Sequence, residues 1–325
     1  MDISGLWTLQ CMMFLLVAAG AILKKKGILK EEGKSVLTDA VLYFFLPCNI
    51  INSFRMEFDI SILRKFAVVL IVSVLVQAVS YGLSKLLYNH KNVEVKRVMQ
   101  YCTIVSNSGF LGLPIAEGIY GAEGMMYASI FIIPMRIMMW SAGIACFTDS
   151  PDFKSVVKKI AVHPCIIAVY IGLGLMFFQA PLAGLYGGII NGSAPAISAV
   201  ATVIVTALDK AVRSAGGCTT ALTMVLIGMM LADVKAGSML DKDAMFISAL
   251  RLVLLPALVL AGCRLTGVNP FLTGVCVLIT GMPAGSTSAI LAAKYGCDYT
   301  FATKCIVVST LLSMLSVPVW GMVLG

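Results

Sequence analysis

The sequence contains few charged residues and few side chains that bind metals or act in catalysis. Charged residues make up 12% of the chain, against roughly 25% in soluble domains. There are only 2 histidines, and the 10 cysteines include no Cys-x-x-Cys pair, so the sequence predicts no zinc site. The signatures of serine hydrolases, zinc proteases and P-loop nucleotide-binding proteins are also missing. We therefore expect no enzymatic activity, no metal or other cofactor, and no direct use of ATP.

Apolar residues are abundant and form long uncharged runs. They make up 59% of the chain, and five runs are each about as long as the roughly 20 residues that cross the hydrocarbon core of a bilayer. These runs cover residues 3–23, 66–84, 98–116, 265–293 and 305–325. Asp2 precedes the first run and Lys24-Lys25-Lys26 follows it, which reverses the charge order of a signal peptide. The pattern predicts an all-α, polytopic protein in the lipid bilayer, with its first helix retained.

The apolar pattern divides the chain into about ten transmembrane helices. We place them near residues 3–23, 38–54, 66–87, 98–117, 124–148, 160–180, 214–232, 243–264, 270–293 and 303–324. The net charge of +8 could attract nucleic acid, but most Lys and Arg residues lie on the connections of one side of this topology. Because positive charge collects on the cytoplasmic side, both termini are predicted to be extracytoplasmic in the cell membrane. We expect no nucleic-acid partner.

Two of these helices, the fourth and the ninth, are interrupted by small and polar residues. The first interruption is Asn107-Ser-Gly-Phe-Leu-Gly-Leu-Pro114, and the second is Gly281-Met-Pro-Ala-Gly-Ser-Thr-Ser288. Proline removes a backbone donor and glycine permits unusual backbone geometry, so the helices should break there. The freed helix N-termini attract anions. The backbone positions expected at the breaks are Gly109, Gly112, Pro114, Pro283 and Gly285.

The two interruptions also indicate an internal repeat. Ile119-Tyr-Gly-Ala-Glu123 follows the first and Lys294-Tyr-Gly-Cys-Asp298 follows the second. Polar breaks at corresponding positions of two halves point to a transporter's binding site at the interface of inverted repeats. We predict one five-helix repeat at residues 1–155 and a second at 156–325. Residues 181–208 are an extra apolar segment within the second repeat, for which a loop and a short helix are preferred over a re-entrant segment or an eleventh span.

Three further polar residues inside the predicted helices are candidates for binding. Asn49 and Asn52 share one face of the second helix, where they either contact a substrate or join helices. Arg136 lies deep in the fifth helix, and ionisable residues at such depth are functional candidates. Its expected charge partner is Glu117, Glu123 or the carboxylate of a substrate. Alternatively, the Arg136 side chain extends to the membrane surface.

Several segments resemble the auxin efflux carrier family when they are taken together. The longest is residues 107–121, Asn-Ser-Gly-Phe-Leu-Gly-Leu-Pro-Ile-Ala-Glu-Gly-Ile-Tyr-Gly, which is similar to the family's Asn-Thr-x-x-x-Gly-x-Pro-x-x-x-x-x-Tyr-Gly segment. Phe-Leu-Pro-Cys-Asn-Ile at 45–50, Leu-Ile-Gly-Met-Met-Leu-Ala at 226–232 and Met-Pro-Ala-Gly at 282–285 match in the same order. The chain has no long central hydrophilic loop, as in the compact bacterial members.

The resemblance implies a fold and a class of substrate. It implies two inverted five-helix repeats whose broken helices four and nine cross at their prolines, with Asn107, Pro114 and Pro283 at the crossing. It also implies a fixed scaffold, a moving transport part, and organic anions as cargo, such as auxin in plants or malonate and malate in bacteria. The resemblance leaves open whether transport is coupled to protons, to sodium ions or to the membrane potential alone. It also leaves open whether the protein forms a homodimer.

We therefore expect a secondary transporter of small organic anions that works by alternating access. Asn107, Ser108 and the half-helix ends would bind a carboxylate, and Ser286 and Thr287 would complete the pocket. The first alternative is a membrane-embedded ligand sensor without transport. A passive channel is the second.

Overall fold

The structure is a computed structural model that describes residues 3–55, 60–147, 161–178, 195–232 and 241–324. These residues are mainly helical and contain no β-strand. The helices are α1 (Ile3–Lys25), α2 (Glu31–Ser53), α3 (Ile60–Leu87), α4 (Val93–Ile104), α5 (Leu113–Met138), α6 (Pro164–Phe177), α7 (Pro195–Gly217), α8 (Thr219–Ala232), α9 (Lys242–Leu265), α10 (Pro270–Thr280), α11 (Thr287–Lys294) and α12 (Tyr299–Leu324). The predicted all-α class is confirmed, and each predicted helix coincides with helical residues.

Helix α3 shows why these helices suit a membrane. Polar side chains on one of its faces are buried, including Ser73, which donates a hydrogen bond to the Phe131 carbonyl at 2.5 Å. The opposite face exposes Ile71 and Leu75, at 60% and 59% of their surface. A helix that buries serine and exposes aliphatic side chains is the reverse of a helix on a water-soluble protein. Five helices within the described residues are long and apolar enough to span a bilayer, so the chain is a multi-pass membrane protein.

The helices α1 and α8 pack with their backbones in close contact. A Cβ atom added at Gly20 would lie 2.2 Å from the Val225 carbonyl oxygen, and one at Gly228 would lie 2.0 Å from that of Val17. Small residues at such an interface let membrane helices approach closely, which gains van der Waals contact where lipid offers no hydrophobic driving force. We expect this pair to be a rigid part of the molecule.

Helix α7 corrects one of the sequence-based expectations. It begins at Pro195 and runs for 23 residues, with only a turn at Cys218 between it and α8. A helix is therefore present at residues 195–208, within the segment where a short helix was expected, but it extends to Gly217 and is longer than expected. Pro195 starts a helix because proline's fixed φ suits a first turn, and the residues that follow are mostly good apolar helix formers. Residues 181–194, and the predicted boundary between the repeats at 155–156, lie outside the described residues.

Glycine sits at a corresponding backbone position after each broken helix. Gly121 has φ 68° and ψ −164° at a kink within α5, and Gly296 has φ 67° in the turn after α11. The Cys297 N–H bonds to the Ala292 carbonyl at 2.8 Å across that turn, which is the hydrogen bond of a Schellman motif. The repeated Tyr-Gly step thus marks two places where the chain needs a positive φ.

The kink at Gly121 leads to a prediction about stability. With φ 68° and ψ −164°, Gly121 lies in a region that is essentially restricted to glycine, where a side chain costs about 1–3 kcal/mol. No atom lies within 4 Å of a Cβ added at Gly121, so backbone strain alone is tested. Gly121→Ala should therefore lower the thermal unfolding midpoint of the purified protein in detergent. The matched control is Gly82→Ala in α3, where a Cβ also meets nothing and alanine favours the helix by about 0.5–1 kcal/mol. Equal effects of both changes would contradict the assignment.

Candidate functional site at the crossing of two broken helices

The first break separates α4 from α5 at residues 105–107. Helix α4 ends at Ile104, Val105 has extended geometry with φ −110° and ψ 122°, and Asn107 precedes a π-helical turn at Ser108–Gly112. Pro114 lies in the first turn of α5. The π-helical turn runs into α5 without a break, because Gly112 and Leu113 have right-handed helical geometry and the Leu113 N–H bonds to the Ser108 carbonyl. Pro114 therefore lies within continuous helix, beyond the break, and the observed break shares only Asn107 with the interruption expected at 107–114.

The second break separates α10 from α11 at residues 281–286. Helix α10 ends at Thr280, and α11 begins at Thr287 with Ser286 at its N-cap position. Pro283 and Gly285 lie inside the non-helical segment. Both predicted interruptions are thus present, and each presents one helix C-terminus and one helix N-terminus inside the protein.

The two breaks pair with each other in an arrangement that we call the crossover (residues 105–107 and 281–286). Ser106 and Ala284 form an antiparallel bridge. The Asn107 N–H donates to the Pro283 carbonyl at 2.8 Å, and the Gly285 N–H donates to the Val105 carbonyl at 3.1 Å. Backbone groups without partners are costly away from water, and these bonds satisfy some of those that the breaks release.

Two of the predicted glycines allow this close approach. A Cβ added at Gly112 would lie 3.0 Å from Met282 Cγ, and one at Gly285 would lie 3.0 Å from Val105 Cγ1. Each contact would require the neighbouring side chain to shift by a few tenths of an ångström. The third predicted glycine, Gly109, faces the Arg136 side chain instead, because a Cβ there would lie 2.9 Å from Arg136 Nη2.

Some hydroxyl and amide side chains at the crossover are hydrogen-bonded within the protein, and others are not. Ser108 Oγ donates to the Ile279 carbonyl at 3.1 Å, and Thr287 Oγ shares a hydrogen bond of 2.7 Å with the Tyr101 hydroxyl. Asn107 is 7% exposed, yet no described residue forms a hydrogen bond with its side-chain amide. The Ser286 side chain, at the N-cap position of α11, likewise forms no capping hydrogen bond. Two polar groups at the helix N-termini are therefore available to a ligand.

Arg136 lies beside the first break, buried at 5% exposure. Its Nη1 atom is 2.7 Å from His163 Nε2, and Nε has no partner in the part of the chain that is described. His163 Nδ1 also lies 3.3 Å from the Cys165 backbone nitrogen at the start of α6. A neutral imidazole ring accepts at one nitrogen only, so Arg136 and the Cys165 N–H compete for that acceptor. The predicted acidic partners are engaged elsewhere, since Glu117 accepts a hydrogen bond from Asn49 and Glu123 pairs with Lys65. Arg136 thus neither reaches the surface nor pairs with either acid.

A second buried arginine, Arg251, is bonded in a different way. Its Nη1 donates to the Thr103 carbonyl at 2.7 Å and lies 3.4 Å from that of Cys102. Nε donates to the Met282 carbonyl at 3.1 Å, and Nη2 lies 3.4 Å from the Thr280 carbonyl. Sequence reasoning did not assign Arg251 or Tyr101 to the site. Charge inside an apolar helix is a signal for the arginine, but its carbonyl partners lie on distant parts of the chain.

Asn49 and Asn52 join helices in this structure. Asn49 Nδ2 donates to Glu117 Oε2 at 2.7 Å, which ties α2 to α5. Asn52 Nδ2 donates to the Val212 carbonyl at 3.1 Å, which ties α2 to α7. Gly216 permits the second contact, since a Cβ there would lie 2.4 Å from Asn52 Nδ2. A direct contact of either amide with substrate stays a prediction.

The arrangement suits an anion better than a metal ion. Within the residues that the structure describes, no three His, Cys, Asp or Glu side chains are grouped as metal ligands would be. The crossover instead gathers helix N-termini, a free amide and a buried guanidinium, all of which favour negative charge.

The chain is similar in sequence to known membrane transport proteins. Residues 10–321 match the family described as "Membrane transport protein". The chain belongs to that family. It is the auxin efflux carrier family that the sequence motifs resemble, and the member described here is therefore a membrane transporter that acts on a substrate within a lipid bilayer.

Two relatives of this family member are transporters from archaea. An uncharacterized transporter of Methanothermobacter thermautotrophicus is 24% identical over 317 residues, which is 96% of each chain. An uncharacterized transporter of Methanocaldococcus jannaschii is 24% identical over 321 residues, again 96% of each chain. The likeness therefore extends over both breaks.

Proposed function

We propose that this protein is a secondary carrier that binds a small organic anion at the crossover and moves it by alternating access. One observation carries the proposal. The Arg136 guanidinium is buried next to the first break and has no carboxylate partner within the described parts of the chain. A buried charge needs an opposite charge or good hydrogen bonds. A carboxylate of the substrate supplies both.

The neighbouring groups favour a short dicarboxylate. A guanidinium holds a planar carboxylate through two parallel hydrogen bonds, and the free Asn107 amide can donate to the same group. The N-terminus of α11, with Ser286 and Thr287, forms a second region that favours negative charge. Two such regions at one crossover suit a molecule with two carboxylates, such as malonate or malate. An auxin-like monocarboxylate is the alternative.

The packing also supports motion of one part against another. The two broken helices are joined by backbone bonds, whereas α1 and α8 form their own close pair. A narrow cleft lies between these parts and α12, lined by Met13, Phe14, Val17, Leu111, Ile115, Met224, Thr310, Ser313, Met314 and Val317. Apart from Thr310 and Ser313 the lining is apolar, and small sliding of packed helices is one of the known forms of closure around a ligand. Opening of this cleft would expose the crossover to one side of the membrane.

Counterflow in proteoliposomes tests the proposal. Vesicles that contain the purified protein are loaded with unlabelled malonate and diluted into labelled malonate at low concentration. A carrier should accumulate label transiently above the equilibrium level, because outward movement of unlabelled substrate returns binding sites to the outside. Malonate and malate should compete, and the uncharged diamide malonamide, of similar size, should not.

Other results would contradict different parts of the proposal. Entry of label without transient accumulation would identify a channel. Thermal stabilisation by malonate without any counterflow would favour the ligand sensor. Counterflow of indole-3-acetate alone would keep the carrier mechanism and replace the dicarboxylate by a monocarboxylate.

A further inference from the structure

The position of Arg251 at the crossover bears on the coupling ion. The four carbonyls around its guanidinium belong to Cys102 and Thr103, in the last turn of α4, and to Thr280 and Met282, at the end of α10 and in the second break. The guanidinium thus lies between the C-termini of both half-helices.

Helix C-termini attract cations. Their last carbonyls have no partner within the helix and carry partial negative charge. In carriers that are built from broken helices, unwound carbonyls and half-helix C-termini are the groups that coordinate a coupling sodium ion or proton. Here these groups already bind a cation that is part of the protein.

We infer that the Arg251 guanidinium permanently occupies the place of a coupling metal cation, so that this carrier works without sodium. The inference rests on the proposed carrier function and specifies its coupling. Arg251 is 3% exposed, and arginine keeps its charge at any physiological pH, so the cation neither leaves nor titrates during a transport cycle. A sodium ion at the same carbonyls would meet a fixed charge of the same sign.

The geometry of α9 holds the guanidinium in place. Arg251 lies in a π-helical turn, Leu250–Leu254, inside an otherwise α-helical segment. Such turns are often found at functional sites. At the start of α9, Asp243 pairs with Lys91 at 2.7 Å, which ties this helix to the segment that leads into α4. Arg251 therefore acts as a positioning residue that fixes the two broken helices relative to each other.

The first test uses the unmodified protein. Malonate counterflow is measured with sodium, potassium or choline as the only monovalent cation on both sides. We expect rates that agree within about twofold. A stimulation of tenfold or more by sodium would overturn the inference while leaving the carrier function intact. Absence of counterflow in all three salts would instead count against the carrier function.

The second test does not depend on transport. In Arg251→Ala, the four carbonyls lose their cation, and sodium should then raise the thermal unfolding midpoint in detergent relative to choline. The wild type and the exposed matched control Arg264→Ala should show no such difference. Arg251→Lys, which keeps a positive charge, should also be insensitive to sodium. Stabilisation of the wild type by sodium would contradict the inference, and this result does not require Arg251→Ala to fold.

Discussion

Replacing Asn107 by alanine is expected to reduce malonate counterflow by about 10- to 150-fold. This range corresponds to the loss of one hydrogen bond to a charged group, about 1.5–3 kcal/mol. The thermal midpoint should stay close to that of the wild type, because no described residue forms a hydrogen bond with the amide that is removed. The backbone N–H of residue 107, which bonds to the Pro283 carbonyl, is still present in the variant.

A matched asparagine provides the control for this experiment. Asn89 is exposed, and its amide donates only to the nearby Lys85 carbonyl, at 3.1 Å, while its Oδ1 accepts from Lys96. Asn89→Ala should therefore transport malonate at the wild-type rate. Normal counterflow kinetics in Asn107→Ala would exclude this side chain from the binding site. A large loss of stability in the same variant would indicate a structural role instead.

Arg136→Gln should abolish malonate transport without destabilising the protein. Removing one partner of a buried, hydrogen-bonded charge pair costs about 2–5 kcal/mol of binding free energy, or about 30-fold or more in affinity. In the substrate-free protein the same change removes a buried charge that lacks an acidic partner among the described residues, so the thermal midpoint should be unchanged or higher. Arg136→Lys should keep part of the affinity, since lysine retains the charge but not the planar pair of donors.

The exposed Arg264 provides the control for the charge itself. Arg264→Gln makes the same change in net charge on the surface and should leave malonate binding unaltered. Malonate stabilisation of Arg136→Gln equal to that of the wild type would remove Arg136 from the site. A marked fall in its thermal midpoint would show that the contact with His163 is structural. The combination of lost transport and retained stability is the signature of a residue kept for binding.

Local sequence features located the two broken helices to within a few residues. The interruption expected at 281–288 covers the observed break at 281–286, whereas the one expected at 107–114 shares only Asn107 with the observed break at 105–107, which contains no proline or glycine. The repeated Tyr-Gly step, which indicated the repeat, coincides in the structure with two glycines of positive φ. The apolar runs likewise predicted the helices, because a bilayer requires continuous hydrophobic length.

Contacts between distant parts of the chain could not be predicted in this way. Nothing near Arg251 in the sequence indicates that its partners are carbonyls of Cys102 and Thr103. The shared helix face of Asn49 and Asn52 was correctly anticipated, but the identity of the neighbours, Glu117 and α7, depends on how the helices assemble. The full length of α7, from Pro195 to Gly217, was likewise not anticipated, because proline can either interrupt or start a helix.

The pairing of Ser106 with Ala284 also bears on how new specificities arise among such carriers. The hydrogen bonds that join the two broken helices are made by main-chain atoms. They therefore persist when most of the surrounding side chains are exchanged, provided that glycine is retained where the two segments lie in close contact. Relatives that share about a quarter of their residues can therefore keep the same main-chain pairing and surround it with different side chains. In the proposed carrier, cargo preference can change through the side chains at positions 107, 136 and 286 without loss of these main-chain bonds.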